Sequence, residues 1–535
     1  MESHFRFGRQ WHGYANGQSR RSHNGEAGSS GDTKPANTFN GSESRAEDDL
    51  RHYAMHDDDR ETTRYLSAAT QISLDYARSV VHRVIHEPYR AVAPAFGADV
   101  NVVTRWAIDS VRRRMRRDCW LVATLCSSIT LLWAFHSMLP GFIVITVALL
   151  TPVTAFIIVG HEQWVRWNNI LAGQMLRNNF DPAAAPKPAG SKANHRLRTV
   201  ADRRNGNVVI FRDKAAFRGS GVPLGREQMV IDVSRGKKGD DGKVSDPLPF
   251  TNSDVHEALK DAFDEIKFND MRVEQRMFVN GRHVHGNQAL QGDILEPPYS
   301  SVGEGLLNRA ANQAEPDARA YVCAEVHGWQ GQLMVTMFAR AVHTGGWLYI
   351  EWSFYELPPI SERYMSIDNL YQESTFGKLR EASACSLRHA VPALLWSPLA
   401  VTVNAGRSLR WKAHEVSQAY RIRHGQVFDY GATPSIREDA CDQWGWRHYF
   451  LDRDEIMYVL LLQESLIREI GDFLDRHNIE QTEFNSQAKI IIDASYKNYS
   501  MHVGGSISDS NISMGNAARS GGGGKSDGGR PAGGR

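Results

Sequence analysis

The sequence predicts an α+β protein: a two-helix transmembrane hairpin plus a cytoplasmic domain with a largely antiparallel sheet and flanking helices. Three observations carry this. Residues Cys119 to His161 contain no Asp, Glu, Lys or Arg, in a chain that is 23% charged. The runs Arg319–Val326, Gln332–Val342 and Trp347–Glu356 read as long strands joined by short glycine-containing turns. Apolar residues recur at helical spacing before the uncharged stretch and again near the C-terminus.

Residues 1–60 are rich in Gly, Ser, Asn, Asp, Arg and His with few aliphatics, which predicts a disordered tail. Residues 61–117 predict juxtamembrane helices. Leu66, Ala69, Ile72, Ala77, Val80, Val81, Val84 and Ile85 keep helical spacing until Pro88 and Pro94 break the run. A second helix, Val100–Arg117, comes next, with Asp99 placed to cap it and its end leading straight into the apolar stretch.

Residues 118–162 predict the hairpin. Its spans are Cys119–Phe135 and Phe142–Val159, joined by a turn at Ser137–Gly141. Each lies near the lower limit of about 17 residues for a hydrocarbon core of about 30 Å. Trp120, Trp133, Trp164 and Trp167 fall near the ends, where indole favours the headgroup layer. Arg112, Arg113, Arg114, Arg116 and Arg117 precede the first span. Arg196, Arg198, Arg203 and Arg204 come after the second, within a basic helix and linker at 163–204. Cations on both flanks place both termini in the cytoplasm, which agrees with two spans in a bacterial cell membrane. They also suit anionic lipids. The competing readings are a buried core hairpin in a soluble protein and a re-entrant wedge that does not cross.

Residues 205–360 predict the α+β sheet domain. Asn207–Phe211, Met229–Val233 and Arg272–Val279 are further strands, the last ending at the turn pair Asn280-Gly281. Asp254–Phe268 is an amphipathic helix with Val255, Leu259, Ala262, Phe263 and Ile266 on one face. In the last strand Leu348, Ile350, Trp352 and Phe354 alternate with Trp347, Tyr349, Glu351 and Ser353, so one sheet face is apolar and calls for covering helices. Residues 361–485 predict a helical region packed on that sheet. Within it, Ala390–Val403 is uncharged, contains Pro392 and Pro398, and suits a core helix or a membrane-surface segment. Ser435-x-x-Glu438 has the form of a capping box, and Asp454–His477 is the clearest soluble helix. Residues 486–535 predict a Gly/Ser-rich tail whose spaced Ile and Val residues could pair edge to edge in a homo-oligomer.

Composition removes several classes of function. The net charge of +1 indicates no nucleic-acid partner. The mean hydropathy of −0.43 keeps most of the chain out of the bilayer. The five cysteines are scattered with no Cys-x-x-Cys pair, so neither a disulfide framework nor a zinc ribbon is indicated. This suits a reducing cytoplasm. The N-terminus has no apolar core, so no cleavable signal peptide is expected.

No cofactor is expected from the motifs. Gly521–Ser526 has the Gly-Lys-Ser ending of a phosphate loop, but the first required glycine would be Arg519, and no strand precedes it. Gly219–Gly225 lacks dinucleotide spacing and reads as a hairpin loop. Cys323, Glu325 and His327 share a strand face by their i, i+2 spacing. They suit a solvated face better than a metal, and no metal site is expected.

Several segments resemble a group of uncharacterised actinobacterial integral membrane proteins. They are Thr62–Leu66, His86–Pro94, Gly219–Gly225, Phe278–Arg282, Leu357–Pro359 with Glu362–Tyr364, and Phe428–Ala432, in this order. The resemblance covers most of 62–515. It implies an integral membrane location and brings no reaction, cofactor or catalytic residue.

The functional expectation is a non-enzymatic, cytoplasm-facing sensor, scaffold or adaptor able to self-associate through its tail. The alternatives are a membrane-tethered enzyme with an unrecognised site in 205–450, or a membrane-shaping hairpin. The enzyme version requires two or more of His283, His285, Glu325, His327 and Glu351 to converge in a pocket.

Overall fold

The computed structural model describes residues 58–502, apart from 135–140, 189, 202–205, 240–242, 267, 269–270, 314–316, 373–374 and 443–448. The N-terminal tail, the hairpin turn before Gly141, Arg203, Arg204, Trp444, Trp446 and the Gly-rich end therefore lie outside the described residues.

The first helical run is two helices, α1 (Asp58–Ile72) and α2 (Leu74–Ile85). Ser73 divides them: its backbone is extended and its hydroxyl accepts from the Tyr76 N–H, so a serine inside the apolar pattern acts as an N-cap. Helix α3 (Val100–Ala134) joins the juxtamembrane helix and the first uncharged run without a break. Asp99 caps it as expected, accepting from Asn101 N at 2.9 Å and Val102 N at 3.2 Å.

Helix α4 (Gly141–Trp164) runs back along α3. Leu121 packs with Ala155 and Val159, and Ser128 Oγ lies 2.8 Å from Thr151 Oγ1. That hydroxyl pair is a polar tie across an otherwise apolar seam. The outer surface is bare: Trp120, Ile129, Leu131 and Trp133 on α3, and Ile145, Leu149, Leu150, Val153 and Ile157 on α4, are exposed. Among the described residues one segment, Val144–Gln174, is long and apolar enough to cross a membrane.

The region expected as a linker contains helix α5 (Ser191–Ala201), which leads to the sheet. The sheet has six strands: β1 (Val208–Phe211), β2 (Val222–Asp232), β3 (Met271–Asn280), β4 (Ala318–Gly328), β5 (Leu333–Thr344) and β6 (Trp347–Leu357). Their order is β1-β3-β4-β5-β6-β2, antiparallel throughout except for the edge pair β1/β3. The three long strands sit within two residues of their expected ends. β2 is longer than the sequence signal, because Glu227 and Gly225 precede the core-facing Met229 and Ile231 and a bulge lies between Pro223 and Gly225, which break the alternation.

Helices α6 (Asn252–Glu265), α9 (Tyr449–Arg476) and α10 (Thr482–His502) cover one face of the sheet. The short α7 (Glu304–Asn312) extends that layer over β3 and β4, with Asn252 of α6 donating to the Ala311 carbonyl at 3.0 Å, whereas the long α8 (Thr375–Arg423) packs on α3 and α4. Helix α10 takes in 486–502, so the segment expected to open the Gly/Ser tail is helical as far as His502. Ser495 is its tie to α9, exchanging hydrogen bonds with Gln463. The capping-box pair Ser435/Glu438 opens only the short 3-10 turn Glu438–Ala440. The other oxygen of Glu438 accepts from Gly219 N at 2.9 Å and Gly221 N at 3.2 Å. This loop needs glycine: both residues have positive φ, and a Cβ on Gly221 would stand 2.1 Å from the Glu356 carbonyl.

Candidate functional site

Strand alternation sends Val322, Ala324 and Val326 of β4 into the helix-covered core, and Tyr321, Cys323, Glu325 and His327 to the other face. That second face divides along its length. At one end Phe217 stacks on Phe338 with ring centroids 4.1 Å apart, and Phe278, Tyr321 and Tyr355 surround the pair. At the other end lie Arg272, Glu274 and Arg276 of β3 beside Glu325 and His327.

The charged end floors a cavity of about 720 Å³. Its walls are the Ala91–Asn101 segment, Arg196 and Val200 of α5, Val208–Ile210 of β1, and Pro298–Ser300. Arg276 extends along the sheet and its Nη1 donates to Glu325 Oε1. Its Nε and Nη2 donate to Glu274 Oε2 at 3.3 and 3.1 Å. Its guanidinium carbon lies 5.2 Å from the Phe96 ring centroid. Burial alone would push the Glu325 carboxyl up, but the Arg276 guanidinium and then His327 outweigh it and hold the group below the ordinary carboxylate value.

His327 is the informative residue. Its side chain is 2% exposed. Among the described residues neither ring nitrogen has a hydrogen-bond partner. Its Nε2 is 4.0 Å from Glu325 Oε2, within ion-pair reach but beyond a hydrogen bond. A buried imidazole with no hydrogen bond at either nitrogen, and only the Glu325 carboxylate 4.0 Å away, has its desolvation offset in part alone. Beside a carboxylate held ionised, it offers one donor and one acceptor, or one proton-accepting site, to a small polar molecule in the cavity.

The other residues expected to converge do not. His283 Nδ1 lies 3.1 Å from Asp317 Oδ2, and His285 Nδ1 lies 3.0 Å from the Tyr430 hydroxyl. Glu351 accepts from the Tyr321 and Tyr349 hydroxyls at 2.7 and 3.0 Å. Cys323 shares the strand face with Glu325, yet its thiol is fully buried among aromatic rings and pushed well up by burial. Arg276, Phe96 and the Ala91–Asn101 wall carried no sequence signal, because they reach the site from far along the chain.

The basic residues flanking the apolar helices have four distinct settings. Arg113 pairs with Asp109 at 3.0 Å and lies 3.9 Å from Glu162, and Arg117 pairs with Asp118 at 2.7 Å and lies 3.6 Å from Glu162. Burial, then Arg166, pushes the Arg114 guanidinium down to about 10. Arg112 is half-buried, and Arg116 and Arg198 are exposed. Arg196 is a correction to the flanking reading. It is buried, with Nε donating to the Val84 carbonyl at 3.0 Å and Nη2 to the Glu87 and Arg90 carbonyls at 3.1 and 2.9 Å. The Val84 carbonyl lies in the last turn of α2 and the other two in the chain just beyond it around Pro88, so Arg196 ties the helix end to the segment that leaves it.

Fold and cavity together define an α+β protein with a mostly antiparallel six-stranded sheet and one charged, partly unsatisfied sheet face. Residues 226–512 match the AbeC-like domain, a family of unknown function, and the chain belongs to that family. No curated protein and no solved structure matches the chain.

Proposed function

We propose that this is an integral protein of a bacterial membrane, anchored by the α3–α4 hairpin with both termini cytoplasmic. Its sheet domain acts as a non-enzymatic sensor that takes a small polar ligand into the cavity beside His327. The observation that carries the anchor is the bare apolar surface of the helix pair. Trp133 is 78% exposed and Leu149 63%, a patch that water tolerates poorly. The arginines at its base and the absence of charge above them favour a bilayer as its solvent. Full-length protein in vesicles should stay with the lipid through alkaline carbonate extraction, and an added protease should reach both termini from the same side. Release into the carbonate supernatant defeats the anchor.

His327 supports a ligand over a purely scaffolding role. Native mass spectrometry of the full chain should show a co-purified small molecule that is absent from His327→Phe, a variant that fills the space. An identical spectrum from both counts against the sensor. Homo-oligomerisation stays part of this reading through residues 503–535; an unchanged oligomer size after their removal sinks that part.

A second reading is a membrane-tethered enzyme, and the Glu325–His327 pair favours it. The His327 imidazole lines the cavity 4.0 Å from the Glu325 carboxylate, a placement from which it could take a proton from a bound substrate. Incubating the full chain with a metabolite extract should then deplete a compound that His327→Asn leaves intact. No depletion by either protein speaks against it.

A further inference from the structure

We propose that α8 is a third membrane-contacting element, lying in the headgroup layer across the base of the hairpin with Leu387–Val403 facing lipid. This rests on the reading of α3–α4 as a membrane anchor and extends it to a helix of the family-matched region. The occupant of the α8 surface is the bilayer itself.

Helix α8 is long, about 73 Å at 1.5 Å per residue. Between Arg388 and Arg407 it has no Asp, Glu, Lys or Arg. Over this part its two sides differ completely. At about 100° per residue, Leu387, Val391, Leu395, Leu399, Val403 and Trp396 spread over roughly half the circumference. All six are exposed, Leu387 at 75% and Leu395 at 66%. The opposite half is occupied. Ala390 and Leu394 pack with Leu121, Ala155 and Val159 of the hairpin. Asn404 Oδ1 accepts from Arg78 Nη2 at 3.1 Å, and further along the Trp411 ring stacks 4.1 Å from His86.

The level of this packing sets the depth. The hairpin residues beneath α8 are at its base. Leu121 lies one turn after Asp118, and Val159 one turn before Glu162. Gly160 sits under Ser386, with space for a Cβ only 3.5 Å from its Oγ. Asp118 and Glu162 belong to the layer of charges held by Arg113 and Arg117. Helix α8 therefore crosses where charge gives way to apolar surface, and its bare stripe continues the bare surface of α3 and α4. Trp396 suits that depth, and Arg388, Arg410 and Lys412 can reach anionic headgroups from it.

Pro398 fits the same placement. Pro398 has no N–H, which frees the Leu394 carbonyl, and Ser397 Oγ donates to that oxygen at 2.7 Å. The backbone is thus satisfied where water is scarce.

The test uses the full chain in vesicles of phosphatidylcholine and phosphatidylglycerol, with a solvatochromic amino acid placed singly at position 395, 399, 145 or 412. Emission from 395 and 399 should be quenched at least about twofold more by a lipid-borne quencher near the headgroups than by one at the bilayer centre. Position 145 should show the reverse, and 412 should respond to aqueous iodide. If 395 and 399 respond to iodide as 412 does while 145 responds to lipid, the anchor stands and the α8 proposal falls. If 145 also responds to iodide, the anchor itself has failed. If 395 and 399 are shielded from iodide yet untouched by either lipid quencher, protein covers them, most simply a second copy, and the proposal is overturned.

Discussion

The two faces of the six-stranded sheet are built on opposite terms. One is closed by α6, α9 and α10 over a continuous apolar core in which Ile350, Trp352 and Leu462 are fully buried. The other mixes an aromatic cluster with Arg276, Glu325 and His327 around a cavity. The closed face rests on area removed from water, which tolerates small errors of geometry. The open face rests on compensation between charges, which fails when one partner is lost. The first is designed to hold, and the second has polar capacity left over.

The largest test of that contrast is Arg276→Leu. It removes the main partner of the buried Glu325 carboxylate, and should cost about 4 kcal/mol in chemical denaturation. Arg276→Leu with Glu325→Leu should recover most of the loss. If the double variant is as weak as the single, the pair is not the source. On the closed face, Leu466→Ala should cost about 3 kcal/mol by opening a cavity, with no neighbour whose removal rescues it.

The closed face also holds buried polar groups, among them the Trp352 ring N–H, which has no hydrogen-bond partner among the described residues, and the His256 imidazole. His256 Nε2 accepts from the Ala341 N–H at 3.1 Å, tying α6 to β5. Burial and then Arg340 push its pKa down to about 4 from an ordinary 6.5. Because the folded value is the lower one, its contribution is complete above 6.5 and is lost as pH falls towards 4. It amounts to about 3 kcal/mol across that window. His256→Gln should flatten the acid limb of melting temperature against pH; an unchanged limb would assign it to other groups. The smallest expected effect is His327→Leu, about 1 kcal/mol, since the imidazole makes no hydrogen bond among the described residues and loses only its 4.0 Å contact with the Glu325 carboxylate. A cost above about 2 kcal/mol would make His327 structural and close the comparison between the faces.

How far the sequence could be read obeys the same division. Period-two patterning exposed β4, β5 and β6 because a covered face repeats every second residue. The i, i+2 spacing also put Glu325 and His327 together on the open face. It could not supply Arg276 from a neighbouring strand, or Phe96 from a loop more than two hundred residues before His327. Ser73 looked like one more helical residue, since a cap differs from an interior serine only in its backbone. Ala390–Val403 read as a core helix or a membrane-surface segment, and it lies within the longer α8, which Pro392 and Pro398 do not end. Arg196 read as one of the basic residues flanking the membrane because nothing nearby announces the three carbonyls it serves.

Arg437 bears on where the folding unit ends. It is fully buried, donating through Nη1 to the Phe96 carbonyl at 2.5 Å and through Nη2 to the Gly331 carbonyl. Gly331 and Arg437 lie inside the region of family similarity, and Phe96 lies before it. The edge strand β1 stands outside that region as well, paired in parallel with β3. A fragment cut at residue 226 would keep the similarity and lose the wall that accepts a buried cation. Inheritance and cooperative folding have drawn their borders at different places in this chain.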